Sequence, residues 1–296
     1  MYYIGKSLLS FGLLLLCNLA PGQDLDQLLD NATNLKTDYT TATFKSTHIV
    51  TCQSIERMQA GQLDVRFSHH FGQVNTGPYD LWGLDAAYIH FGLDYGITNW
   101  MMVGIGRGTY QKTYDEFLKF SILRQSKGAV NMPISLSFFV SSAINSLDDA
   151  DMNVPKFYFW DRFSYVYQVL IARKFNENLS LELNPTIVHR NMVATELDPN
   201  DVVSLGMGGR FKLSKRVSFN IEFYYLVPPF RNDPGIITYP PLSLGFDIET
   251  GGHVFQLFLT NSDAMIESAY ITGTSSTWGK GAIYFGFNIS RVFALK

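Results

Sequence analysis

Residues 179–184 read Leu179-Ser180-Leu181-Glu182-Leu183-Asn184, an unbroken alternation of apolar and polar side chains. Successive side chains of a β-strand point to opposite faces, so this stretch is a strand with one greasy face and one wet face. The pattern returns at Val217-Ser218-Phe219-Asn220-Ile221-Glu222-Phe223 and again near the end at Ile283-Tyr284-Phe285-Gly286-Phe287-Asn288-Ile289. Working outward, segments of about ten residues carry it at 62–71, 86–95, 99–108, 116–124, 133–142, 163–174, 179–189, 202–213, 217–226, 241–250, 253–261 and 281–293. One such segment is an ordinary half-buried strand. A dozen, an even number, predict an all-β fold: a transmembrane antiparallel up-and-down β-barrel of about twelve strands with a polar interior.

The connections test this independently. Those at 96–98, 175–178, 214–216 and Gly251-Gly252 are short, and the last is a tight-hairpin signature. Those at 72–85, 145–162, 190–201, 227–240 and 262–280 are long. The alternation blurs around the fourth strand. The link before it is only modest, and the link after it, around Ser126-Lys127-Gly128, is no shorter. Short periplasmic turns and longer surface loops are the asymmetry of outer-membrane barrels, and it puts both termini on the periplasmic side.

Composition agrees. Among 296 residues, aromatics are 15% and charged residues only 17%, low for a soluble protein. A net charge of −3 with no basic run argues against nucleic acid as a partner. Lys6, the apolar stretch from Leu8 to Leu16 and the small residues of Ala20-Pro21-Gly22 read as a signal peptide over 1–22, cleaved before Gln23. Leu16 departs from the small residue that a lipobox wants before Cys17. Cleavage leaves Cys52 alone, so no intramolecular disulfide follows. No later stretch reaches about 18 apolar residues, so only a closed barrel would span a membrane. Residues 23–60 are expected to form an N-terminal periplasmic arm or plug segment, and 61–296 the barrel.

The polar register defines the candidate lumen-lining residues: Asp64, Arg66, His90, Asp94, Lys119, Glu182, Asn184, Arg210, Lys212, Asn220, Glu222, Asp247, Glu249 and Asn288. Two readings of these mixed charges stay open: a packed or plugged interior of ion networks, and a narrow polar conduit. The apolar register faces lipid. Arg107 and Arg291 are exceptions near strand ends, where their heads can snorkel. Tyr95, Trp100, Tyr165, Tyr225 and Phe293 fall where aromatic girdles form.

Reactive sets are sparse. The histidines show no metal-ligand spacing. Ser68 and His69 are adjacent and therefore on opposite faces, and Ser204 with His189 lacks a third member. Gly104-Ile105-Gly106-Arg107-Gly108 lacks the spacing and following helix of a phosphate loop; its glycines, like Gly206 and Gly208, relieve crowding inside the barrel. No catalytic, cofactor or metal residues are assigned.

Five segments carry a family resemblance: 39–45 (Tyr39-Thr40-Thr41-Ala42-Thr43-Phe44-Lys45), 92–98 (Gly92-Leu93-Asp94-Tyr95-Gly96-Ile97-Thr98), 103–107 (Val103-Gly104-Ile105-Gly106-Arg107), 112–119 (Lys112-Thr113-Tyr114-Asp115-Glu116-Phe117-Leu118-Lys119) and 245–257, which opens Gly245-Phe246-Asp247-Ile248-Glu249. They resemble a β-barrel family of unknown function common in Bacteroidota, over nearly all of the chain after the signal. The resemblance implies an outer-membrane barrel in such a bacterium and brings no activity or site residues.

The leading functional expectation is a narrow channel or passive solute-conducting barrel in outer-membrane lipid. The alternative is a structural or docking barrel that binds another envelope protein through its arm or long loops, with the aromatic runs at 157–160 and 228–230 as contact surface. An outer-leaflet hydrolase is the third.

Overall fold

The computed structural model describes residues 36–148, 158–193, 195–228 and 237–295. The expected signal peptide, the first part of the arm and parts of three long loops, including Phe157, Ala194, Pro229 and Phe230, lie outside the described residues.

The alternating segments form strands β1 (Gln62–Gln73), β2 (Ala87–Gly96), β3 (Met101–Gly108), β4 (Tyr114–Leu123), β5 (Ser135–Ile144) and β6 (Phe163–Lys174). The second half adds β7 (Leu179–Arg190), β8 (Asp201–Lys212), β9 (Val217–Leu226), β10 (Leu242–Thr250), β11 (His253–Thr260) and β12 (Tyr284–Ala294). Each pairs antiparallel with its neighbours in sequence, and β12 closes on β1 with Ile289 opposite Phe67. The predicted twelve-stranded closed barrel is the observed fold. Closure matters because it leaves no strand edge with unpaired backbone groups in lipid.

Strand ends move by a few residues against expectation, but the faces hold. On β7, Ser180, Glu182, Asn184 and Thr186 are buried while Leu181, Leu183 and Ile187 are exposed on the outer wall. Gly251 and Gly252 both take positive φ, +45° and +107°, in the two-residue turn between β10 and β11. Only glycine adopts this pair of conformations cheaply.

The blurred connection has a physical reason. Between β4 and β5 the chain makes a two-residue strand, Ser126–Lys127, which pairs with Asp38–Tyr39 of the arm. The link is long because it anchors the arm at the short-turn end of the barrel. The expectation of an outer wall free of charge apart from Arg107 and Arg291 needs correction: Glu116 and Arg173 are exposed there too. Both sit within three residues of a strand end, and Arg173 lies 5.1 Å from the Phe175 ring centre.

Candidate functional site: the filled lumen

The arm does not stay outside. Residues 43–56 form a hairpin inside the barrel. Its legs are tied by Ser54 N–H to Thr47 carbonyl (2.8 Å) and by a bridge between His48 and Gln53, and its tip is turned by Ile49 N–H to Cys52 carbonyl (2.9 Å). The Glu56 carboxylate accepts from the amides of Thr43 and Phe44 and fixes the base. Phe44, Ile49, Val50, Cys52 and Ile55 are all buried.

The barrel wall holds this hairpin through its inward register. The Glu222 carboxylate accepts three successive backbone N–H groups at the tip, from Val50 (2.9 Å), Thr51 (2.8 Å) and Cys52 (2.9 Å). Successive amides converging on one carboxylate make an anion nest, here filled by a side chain of the wall. Glu182 accepts from Ile55 N–H at 2.8 Å. The opposite charge is met in the same way. The Lys119 ammonium donates to the carbonyls of Thr47 (3.4 Å), Ser54 (3.0 Å) and Glu56 (2.9 Å). Arg66 donates to Val50 carbonyl at 2.6 Å, and Arg210 to Ala42 carbonyl at 3.1 Å. Asn288 and Gln256 donate to the carbonyls of Val50 and Ile49, and Gln256 also to Asp247. Asp94 accepts from the Thr47 hydroxyl at 2.8 Å.

Gly208 provides room for the tip. A Cβ there would lie 2.3 Å from the Ile49 terminal methyl, so Ile49 could seat against β8 as it does only by turning that methyl aside. Glu182 and Glu222 are the register partners of Gly208 on the two flanking strands and frame this notch.

The remaining candidate residues are placed as follows. Asp64, Asn184 and Asn220 are buried on the wall. His90 is bonded to Asp115 at 2.8 Å. Lys212 and Glu249 lie toward the short-turn mouth, where Glu249 pairs with Lys45 of the arm. Ser204 faces inward, whereas His189 faces outward against Tyr165, so these two do not form a nucleophile–base pair. Among the described residues, no three His, Cys, Asp or Glu side chains converge as a metal site.

A second insert fills the other mouth, and sequence reasoning missed it. The connection between β11 and β12, expected as a surface loop, folds inward with a short helix α1 (Glu267–Gly273). Tyr270 and Ile271 are fully buried; the Tyr270 hydroxyl lies 2.7 Å from Ser243 and its ring meets Tyr224 edge-on. The signal was slight: Ile266 and Tyr270 stand one helical turn apart, a single pair of apolar residues in a long connection. The two inserts meet at a polar cavity of about 30 Å³, lined among others by His48, Gln53, His90, Asp94, Asp115 and Glu267.

Glu267 makes this contact sensitive to pH. Burial, aided by the charge of Asp115, raises its carboxyl to about 7, while His90 and a hydrogen bond to Gln53 oppose the rise. The docked loop therefore holds a proton that the released loop gives up near 4.5. Docking has its full strength below pH 4.5, weakens as pH rises toward 7 and is weakest above it, by at most about 3 kcal/mol. Limited proteolysis within 261–281 should be faster at pH 8 than at pH 5, and Glu267→Gln should remove that difference. Equal rates for the unsubstituted chain would refute the assignment.

A closed twelve-stranded sheet with an apolar outer wall and a polar, internally plugged lumen defines a membrane β-barrel. The family model described as membrane bound beta barrel domain (DUF5777) matches residues 44–293, and the chain belongs to that family. The match begins at Phe44, so the hairpin tip lies within the family region.

Among solved structures, the NanC porin is 10% identical, covering 79% of this chain and 99% of its own with a TM-score of 0.47. The KdgM porin is 7% identical, with the same coverages and a TM-score of 0.45. Outer membrane phospholipase A from Escherichia coli is 10% identical, covering 77% and 90% with a TM-score of 0.44. No curated protein matches the chain.

Proposed function

We propose that the protein is a narrow channel of a bacterial outer membrane, of the Bacteroidota type its sequence resembles, with both termini periplasmic and no enzymatic activity. Its lumen is closed at rest by its own N-terminal hairpin. The observation that carries this reading is the polarity of the hairpin–wall contact. The hairpin is held by Glu222, Arg66 and Gln256 at its tip and by Lys119 on its legs, through hydrogen bonds to its backbone. The polar part of this contact can be exchanged for water, while Phe44, Ile49 and Ile55 also share an apolar cluster with Phe139, Leu170 and Val188 of the wall.

Ile49 is the place to test it. Ile49→Asp would bury a carboxylate in the notch between Glu182 and Glu222, which costs roughly 3–5 kcal/mol when no partner charge is present. In planar bilayers the full-length chain should be mostly closed, and Ile49→Asp should raise the open fraction by roughly 10²–10⁴-fold. Silence of both proteins across salts and solutes, with the strand signal in circular dichroism intact, would sink the channel reading. A second reading, a docking barrel, draws on the exposure of Tyr158 and Trp160 on one long loop. Recovery of a stoichiometric envelope partner that is lost on Tyr158→Ser/Trp160→Ser would favour it.

A further inference from the structure

We propose that the lumen, once the hairpin withdraws, passes small cations in preference to anions; the inference rests on the channel reading above. The buried part of the wall carries five carboxylates: Asp64, Asp94, Glu182, Glu222 and Asp247. It carries three cations: Arg66, Lys119 and Arg210. The other inward charges of the strands sit nearer the mouths or the central cavity: Lys174, Lys212 and Glu249 at the short-turn end, Arg190 at the other, and Asp115 beside His90.

In the closed state this excess of acid is met by the hairpin. Glu222 takes three of its amides, Glu182 takes a fourth, and Asp94 takes the Thr47 hydroxyl. Withdrawal strips these donors away together. Arg66 and Lys119 lose their carbonyl partners at the same moment and are free to turn to neighbouring wall carboxylates, which leaves an acid surplus. Two of these carboxylates lie close together on one side of the wall. Across β6 to β10 the register reads Ala172, Glu182, Gly208, Glu222 and Ser243, two carboxylates and no basic side chain. Arg210, the next inward residue along β8, is bonded to Ser218, the register partner of Asp247. Carboxylates at a constriction select cations because the low-dielectric wall strengthens their field. The hairpin amides thus hold the place that a hydrated cation would take.

The test uses the full chain opened by Ile49→Asp, with Cys52→Asp, at the same buried tip, as a second opener. The wall is unaltered in both. In a tenfold KCl gradient the reversal potential should show K⁺ permeating severalfold more readily than Cl⁻. Adding Glu182→Gln and Glu222→Gln should bring the ratio close to one. Equal permeation, or preference for Cl⁻, in the opened chain with its wall intact would overturn this inference and leave the channel reading standing. Absence of current from either opener, in correctly folded protein, would overturn both.

Discussion

Glu222→Leu should release the hairpin tip from the wall. The substitution leaves the amides of Val50, Thr51 and Cys52 without their acceptor, at a site where Val50 and Cys52 are all but inaccessible to water. A buried donor that loses its partner costs roughly 1–3 kcal/mol, and three such losses on one turn sum to roughly 3–9 kcal/mol, less what the freed tip recovers from water. Leucine fills the space without supplying an acceptor, so relaxation recovers little. Hydrogen exchange should report the change directly, with protection of these three amides falling by roughly two to four orders of magnitude. The barrel-strand amides should keep theirs, because the ladder hydrogen bonds of β9 involve backbone alone. Glu182→Gln gives the comparison, since Glu182 holds the single amide of Ile55 and its effect should be much smaller. Tip protection left unchanged by Glu222→Leu would show that the nest does not hold the hairpin.

Lys119→Met should loosen the same hairpin from the other side. Lys119 is 1% exposed, and its ammonium bonds to carbonyls on both legs. Methionine keeps most of the stem and removes the charge, leaving three buried carbonyls short of a donor and Asp94 with one cation fewer nearby. Breaking a buried ionic cluster from one side costs roughly 3–5 kcal/mol. The expected readout is a protease cut within 43–56 that the unsubstituted protein resists. The two substitutions should not add. Once either clamp is lost and the hairpin withdraws, the other has nothing left to hold, so the double variant should fall short of the sum by up to roughly 3 kcal/mol. Strict additivity would mean that the two clamps act on independent pieces of chain.

Much of the candidate site was readable as one face of a pattern. Glu182 and Glu222 were assigned inward because each stands between apolar neighbours, and both are buried. What they bind could not be read that way. The hairpin 43–56 has no long periodicity, and its contacts to Glu222 and Lys119 are made by backbone atoms, which every residue type possesses. The mouth insert was hidden for a related reason. Its short helix has too few residues for a pattern to stand out from loop, and burial of Tyr270 depends on meeting Tyr224, which is distant in sequence. Glu116 was misjudged because a charge near a strand end is cheap on either face, so alternation constrains it weakly.

By itself, the sequence determined the barrel: the strands, their faces, their order and their closure. These follow from a two-residue period and from the need to satisfy every backbone hydrogen bond in lipid, both local properties of the chain. Only the tertiary structure decided what occupies the lumen. The same inward charges could line an open conduit or grip a plug, and the choice rests on backbone amides of 50–52 reaching a carboxylate 170 residues or more away in the chain. That contact depends on where the closed barrel puts its inner wall, and no local pattern of side chains carries it.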